Sequence, residues 1–428
     1  MARIRLYQKT MNVAMLSYHT CPLATLGGKD TGGMNVYVQD LTRHLGRMGI
    51  HVDVFTRSQD EHIPHVLHDL GYGNRVVHVA AGPEECLSKD VLASYLPEFV
   101  KGIQDFADQK GIRYDLIHSH YWMSGLAALD LRAAWGTPIV HMFHTLGVMK
   151  NRVARQASQL EGDYRIQGER RVLQNVDRIV VATTAEMVQL QWLYQADTQK
   201  MVEIPPGVET SRFYPIPQDE AKEFIGMMPC DRMLLFVGRI EPLKGLDVLI
   251  QALVQMRRQD AGEEALKGMP ICLAVIGGDP DASSEAMTEE MARIQDMRQQ
   301  YGLEDMVVFL GRRGQETLPY YYSAAEAVVV PSHYESFGLV ALEAMACGTP
   351  VVASQVGGLA FLVQDGVTGY HVPVGEPDAL CDRLTALFTD AELRTKLGQQ
   401  AATFARQYAW DKIATRILAL YEDVIKPA

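Results

Sequence analysis

Runs of β-branched and aliphatic residues alternate with amphipathic stretches along this chain, and that alternation stops once and then restarts. The rhythm marks a parallel sheet flanked by helices, because strands buried on both faces carry continuous apolar runs. Before the break, strands are predicted at Asn12 to Leu16, His51 to Thr56, Val76 to Ala80, Asp115 to His118, Pro138 to Phe143 and Arg178 to Ala182. Between the first two, Met34, Tyr37, Val38, Leu41, Leu45 and Met48 keep helical spacing until Gly49 ends the helix. The break is IPPGVETSRFYPIP, residues 204–217, where four prolines and a glycine interrupt regular structure. Strand signals then return at 233–238, 271–278, 306–311, 327–331 and 350–354, and Leu384 to Ile425 reads as helix. Two doubly wound α/β domains follow, in agreement with a length of 428 residues, beyond the roughly 250–300 at which one core stops growing. Two such sheets facing each other bring the carboxyl ends of their strands to a shared cleft, where ligands bind in these folds.

A net charge of −12 argues against tracking a nucleic-acid backbone or adhering to an anionic membrane, since each needs a concentrated basic surface. Small anions remain accessible to local basic pockets. The six cysteines, at 21, 86, 230, 272, 347 and 381, form no CxxC pair and read as reduced, mostly buried thiols. The N-terminal apolar stretch is about six residues, too short for a signal peptide, and no run reaches 18 apolar residues. A cytoplasmic location is expected.

Three clusters carry candidate chemistry. The first is LGGKDTGGMNVYV, the loop after the first strand, where Gly27, Gly28, Gly32 and Gly33 allow close backbone approach and Gly33 opens a helix whose amide end attracts phosphate. A plain strand-to-helix turn explains such a loop equally well. Its spacing is not GxGxxG, yet Arg57 at the end of strand two keeps an NADP-dependent oxidoreductase as an alternative. The second is GRIEPLKG, residues 238–245, in which Arg239 and Lys244 suit a diphosphate or are simply solvated loop charges. In the third, HYESFGLVALEAMACGTPVV, Glu335 and Glu343 stand eight positions apart. A helix from near Phe337 would separate their Cα atoms by about 12 Å, too far for one glycosidic bond, whose carboxyl pairs lie roughly 5 to 9.5 Å apart. They should therefore hold different parts of one ligand, with amides of Ser336, Phe337, Gly338 and Leu339 meeting an anion; a capping acid and a core-adjacent acid are the alternative.

The E-x7-E pattern, GRIEPLK and GGMNVYV together resemble retaining glycosyltransferase family 4 of the GT-B fold, and the likeness extends through HSHYW (118–122), FHTLG (143–147), RIQGERRV (165–172) and PPGV (205–208). The resemblance implies an acceptor-binding Rossmann-like domain over 1–208, a nucleotide-sugar-binding one over 209–405, and a terminal helix, 406–428, crossing back to the first. It implies that Glu343 binds ribose hydroxyls, Glu335 the sugar hydroxyls, and Arg239 and Lys244, beside Gly238, the diphosphate, with Gly33 facing that diphosphate across the cleft. His144 matches the family histidine set against the donor sugar.

Independently of the name, a sugar leaving a nucleoside diphosphate builds negative charge on the departing phosphate, which cations and helix amides stabilise. No metal and no cofactor are expected; Asp279 and Asp281 in GGDPD read as a turn. Of the histidines at 118, 120, 141 and 144, His118 is expected to pack in the core, and HIPHVLH (62–68) to form an exposed loop. The nearest subgroups by resemblance are the sucrose-phosphate synthases and the inositol-phosphate glycosyltransferases of mycothiol synthesis. Lys89, Tyr121, Thr145 and Arg165 match the acceptor-phosphate positions of both. HTLG leans toward fructose 6-phosphate and MKN (149–151) toward inositol phosphate, with UDP-glucose the donor expected and fructose 6-phosphate the favoured acceptor.

Overall fold

The computed structural model describes residues 11–25, 31–154, 156–228, 231–260, 271–280 and 287–426. Gly27, Gly28, Cys230 and Asp281 lie outside the described residues. The first sheet contains β1 (Asn12–Leu16), β2 (His51–Arg57), β3 (Val66–Leu67), β4 (Arg75–Val79), β5 (Leu116–His120), β6 (Ile139–Met142), β7 (Arg178–Val181) and β8 (Met201–Glu203). Its order is β3-β4-β2-β1-β5-β6-β7-β8, parallel throughout except for β3 on β4. The second contains β9 (Arg232–Val237), β10 (Ile271–Ile276), β11 (Val307–Gly311), β12 (Ala327–Val330), β13 (Val351–Ser354) and β14 (Gly369–Val372), in the order β11-β10-β9-β12-β13-β14 and wholly parallel. The architecture is the expected pair of Rossmann-like domains.

The apolar runs are continuous because both faces of each sheet are covered. Val13 and Met15 of β1 join one core cluster while Ala14 and Leu16 join another; on β9, Met233 and Leu235 oppose Leu234 and Phe236 in the same way. The inner faces of the two sheets share a single cluster, completed by Trp410, Ile413, Ile417 and Tyr421 of the terminal helix Trp410–Ile425. This helix packs on the first domain: the Trp410 ring lies edge-on to Tyr37 at 5.3 Å, and Tyr421 Oη is 2.5 Å from His118 Nδ1. Two chain segments run between the domains and are bonded side by side, the Val208 amide donating to the Tyr408 carbonyl (2.9 Å) and the Trp410 amide to the Val208 carbonyl (3.2 Å).

Each sheet reverses its strand order once, between β1 and β5 and between β9 and β12. Loops leaving the carboxyl ends of strands diverge at such switch points and open a crevice. All three candidate clusters leave these strands: after β1, after β9 and after β12.

Several sequence expectations need correction. HIPHVLH is not wholly loop, because Val66 and Leu67 pair antiparallel with β4 as an edge strand. The helix expected from Phe337 begins at Leu339, since Gly338 takes φ 105° and breaks the helical path before it. Of the described cysteines only Cys347 and Cys381 are buried; Cys21 and Cys272 are half-buried and Cys86 is exposed. Arg57 does not face a nucleotide: it is buried, and its guanidinium donates to the carbonyls of Ala81, Pro83 and Glu85, so the NADP reading loses its anchor. No helix among the described residues is long and apolar enough to cross a membrane.

Candidate active site

The cleft between the domains encloses about 310 Å³, and its walls include the residues to which the sequence and its family resemblance gave donor or acceptor roles: Gly33, Lys89, Tyr121, His144, Thr145 and Arg165 from the first domain, and Gly238, Arg239, Lys244, Glu335 to Leu339 and Glu343 from the second. Proximity across the cleft is close. The helix Gly33–Arg47 starts at Gly33, and a Cβ there would lie 2.9 Å from Leu339 Cδ1; one on Gly32 would lie 3.8 Å from Arg239 Nε. Asn35 fixes that helix start, accepting from the Gly32 amide (2.9 Å) and donating to Thr20 Oγ1 (2.8 Å) and the Cys21 carbonyl (2.7 Å). Gly33→Ala, which no positive φ forbids, is therefore expected to wedge the walls apart and raise the donor KM about tenfold, the equivalent of roughly 1.4 kcal/mol. Shortening Leu339 to Ala in the same chain should restore it; a donor KM unmoved by Gly33→Ala would sink this reading of the contact.

On the second domain's wall, Lys244 Nζ pairs with Glu335 Oε2 at 2.6 Å and Arg239 Nη1 with Glu241 Oε1 at 2.8 Å, both cations half-buried. Lys244 closes a short turn, Pro242–Lys244, after β9, and Glu335 lies in the loop after β12, so the switch point itself brings them together. Glu343 projects from the helix Leu339–Ala346 into a buried position, where its Oε2 accepts from Tyr322 Oη at 2.7 Å. Burial, reinforced by Asp40, raises its pKa to about 7 against the opposing Tyr322 hydrogen bond and Arg212. A carboxyl raised this way favours the native state fully at pH values below its unfolded pKa and loses that advantage as pH rises through 7. A shift of this size corresponds to about 3 kcal/mol. Glu343→Gln should consequently melt above the unsubstituted protein at pH 8 and converge with it near pH 5; a pH-independent difference would refute this.

The first domain's wall holds a second cationic group. Arg165, buried on the helix Asp163–Asn175, bonds Glu169 (2.8 Å), Glu161 (2.7 Å), and the carbonyl and hydroxyl of Thr145 (3.0 and 3.1 Å). Its guanidinium carbon stands 5.0 Å from the Tyr121 ring centroid, and Lys89 Nζ approaches the same ring at 5.8 Å. Sequence reasoning did not assign Lys150, which lines the cleft and pairs with Glu161. Burial raises the pKa of Glu161, but Arg165 and Lys150 outweigh it and hold the carboxyl below its usual range. The spacing Arg165-x3-Glu169 was the available signal for that pair, since residues four apart meet on a helix face; Glu161 reaches Arg165 from the loop before the helix. Glu186 was also missed: it lines the cleft, accepts from the Ala182 amide at 2.7 Å, and burial raises its pKa to about 7.

Two non-glycine residues in the cleft have left-handed backbones, Tyr121 (φ 74°) after β5 and His144 (φ 62°) after β6. Such strain persists only where the surroundings over-determine it and concentrates at functional sites. His144 Nε2 lies 3.0 Å from His120 Nδ1, and burial lowers the His144 pKa to about 3, so its imidazole is neutral. Among the described residues, no three His, Cys, Asp or Glu side chains are grouped to hold a metal ion.

The model of Glycosyltransferase Family 4 matches residues 31–212, and that of Glycosyl transferases group 1 matches 218–404. A D-inositol 3-phosphate glycosyltransferase of Actinosynnema mirum is 41% identical over 410 residues, 96% of each chain. A sucrose-phosphate synthase structure from Thermosynechococcus elongatus superposes with a TM-score of 0.86 at 35% identity, over 96% of this chain and 98% of that one. At 19% identity and a TM-score of 0.73, Anabaena HepE in complex with UDP and glucose shares the fold over 96% of this chain and 100% of its own. The chain belongs to glycosyltransferase family 4 and is a glycosyltransferase of the GT-B fold.

Proposed function

We propose that the protein transfers a hexosyl unit, with retention, from a uridine diphosphate sugar to a phosphorylated polyol. The observation that carries this is a single cleft with two separate cationic groups, Arg239 and Lys244 on one wall and Lys89, Lys150 and Arg165 on the other. Two anions meeting at one reaction centre fit a diphosphate donor and a phosphate-bearing acceptor. Arg239, Lys244 and the amides of Ser336 to Leu339 take up charge as the bond from the anomeric carbon to the diphosphate breaks. The acceptor hydroxyl attacks from the same face and its proton passes to the departing phosphate oxygen. Glu335 holds sugar hydroxyls and Glu343 the ribose, while neutral His144 lies against the sugar.

For the acceptor, relatives at 36–41% identity bear the name D-inositol 3-phosphate glycosyltransferase, which moves inositol 3-phosphate ahead of the fructose 6-phosphate that HTLG favoured. Fructose 6-phosphate stays the second reading on the likeness to a sucrose-phosphate synthase at 35% identity. The deciding assay follows UDP release from UDP-glucose and UDP-N-acetylglucosamine with each acceptor in turn. Acceleration at least tenfold over the acceptor-free rate is expected with inositol 3-phosphate. A larger acceleration by fructose 6-phosphate would reverse the order, and none with either would overturn the acceptor class.

A further inference from the structure

His144 has a left-handed backbone, uncommon outside glycine, and such a conformation persists where the surroundings fix the residue. Two contacts do so: the 3.0 Å approach of His120 Nδ1 to its Nε2, and the Tyr37 ring edge-on at 5.3 Å. His120 is itself immobilised. It ends β5 in register with Met142 of β6, is fully buried, and lies against the rings of His118 (4.2 Å) and Tyr37 (5.5 Å). His118 is tied in turn to Tyr421 of the terminal helix. All three imidazoles are held neutral by burial, so one nitrogen of the His120–His144 contact carries the shared proton and the other accepts it. With Nε2 committed, His144 has only Nδ1 left for a ligand, in the tautomer that complements His120.

We infer that His120 is the positioning residue that fixes the ring orientation and tautomer of His144, an inference that rests on the reading of His144 as a group touching the donor sugar. No substrate contact is required of His120. The residue after it, Tyr121, carries the ring between Lys89 and Arg165, so one strand end registers the sugar side and the phosphate side together.

His120→Leu removes the bond, whereas His120→Asn places an amide where Nδ1 stood and keeps it. His120→Leu is expected to lower kcat about 10- to 100-fold, by analogy with the loss of a partner that orients a metal-bound histidine, with donor and acceptor KM within about twofold. His120→Asn should recover most of the loss. A His120→Leu enzyme with kcat near normal, or an Asn variant no better than Leu, overturns the proposal. Should Leu fail to fold, Asn is compared with His120→Gln, whose amide reaches the Nε2 position instead; equal rates overturn it. His144→Ala separates the two readings. If it is impaired while His120→Leu is normal, only the positioning role fails; if it is fully active, the role of His144 fails and the inference with it. In the double variant, His120→Leu should add no further loss to His144→Ala.

Discussion

Lys244→Ala is expected to lower the transfer rate about 10²- to 10³-fold, the usual consequence of removing one preorganised group aimed at developing charge. Lys244 Nζ sits at 2.6 Å from Glu335 at the carboxyl end of β9, on the wall that faces Gly33. Its loss acts twice: the departing diphosphate loses a cation, and the Glu335 carboxylate, 17% exposed, loses its counter-ion. Because the deficit grows as negative charge grows, kcat should fall more than donor KM rises. Steady-state transfer with saturating acceptor measures it. Glu335→Gln in the same chain should cost less than the sum of the single losses, since the two side chains are bonded. An unchanged kcat for Lys244→Ala would contradict the donor assignment.

Arg165→Ala should cost about 10³-fold in kcat/KM for a phosphorylated acceptor while leaving slow hydrolysis of the donor in place. Arg165 is also part of the first domain's interior. Glu169, wholly buried, would keep only the Gly147 amide and the Tyr194 hydroxyl as partners, so the substitution should destabilise by about 3–5 kcal/mol. Arg165→Lys preserves the charge but not the fork that reaches Glu161, Glu169 and Thr145 at once, and is expected to fold and to raise acceptor KM about 10- to 100-fold. Saturation by acceptor that is unaltered in a folded Arg165 variant would refute the assignment.

Most strands that the sequence made visible carry unbroken apolar runs, among them β11 at a sheet edge, whose Val308 is 40% exposed. The three that escaped, Val66–Leu67, Met201–Glu203 and Gly369–Val372, are all sheet edges. An edge strand has one unpaired side and needs no continuous apolar run, and these three are only 2, 3 and 4 residues long, so they read as loop where the 5-residue edge strand β11 does not. Gly33, Gly238, Arg239, Lys244 and Glu335 were legible as residues that follow recognisable strands, whereas Lys89 and Arg165, on helices well removed in sequence from any strand end, came only from the family resemblance. Lys150 and Glu186 were not legible, because each stands on a helix, Gly147–Val153 and Thr184–Tyr194, and how those helices are packed over the strand ends is a matter of tertiary structure. Arg57 misled for the complementary reason: its position after β2 suited a phosphate, while three carbonyls at residues 81–85 claim it.

The paired crossing at Val208 and Tyr408 to Trp410 also restricts how the two walls can move. One connecting segment would permit swivelling about its own axis as freely as bending. Two segments joined by hydrogen bonds resist torsion more than one does, so bending about the crossing is the softer direction for the two halves. A bend about that crossing keeps Arg239 and Leu339 opposite Gly32 and Gly33, so the facing of the two walls is set by the crossing itself.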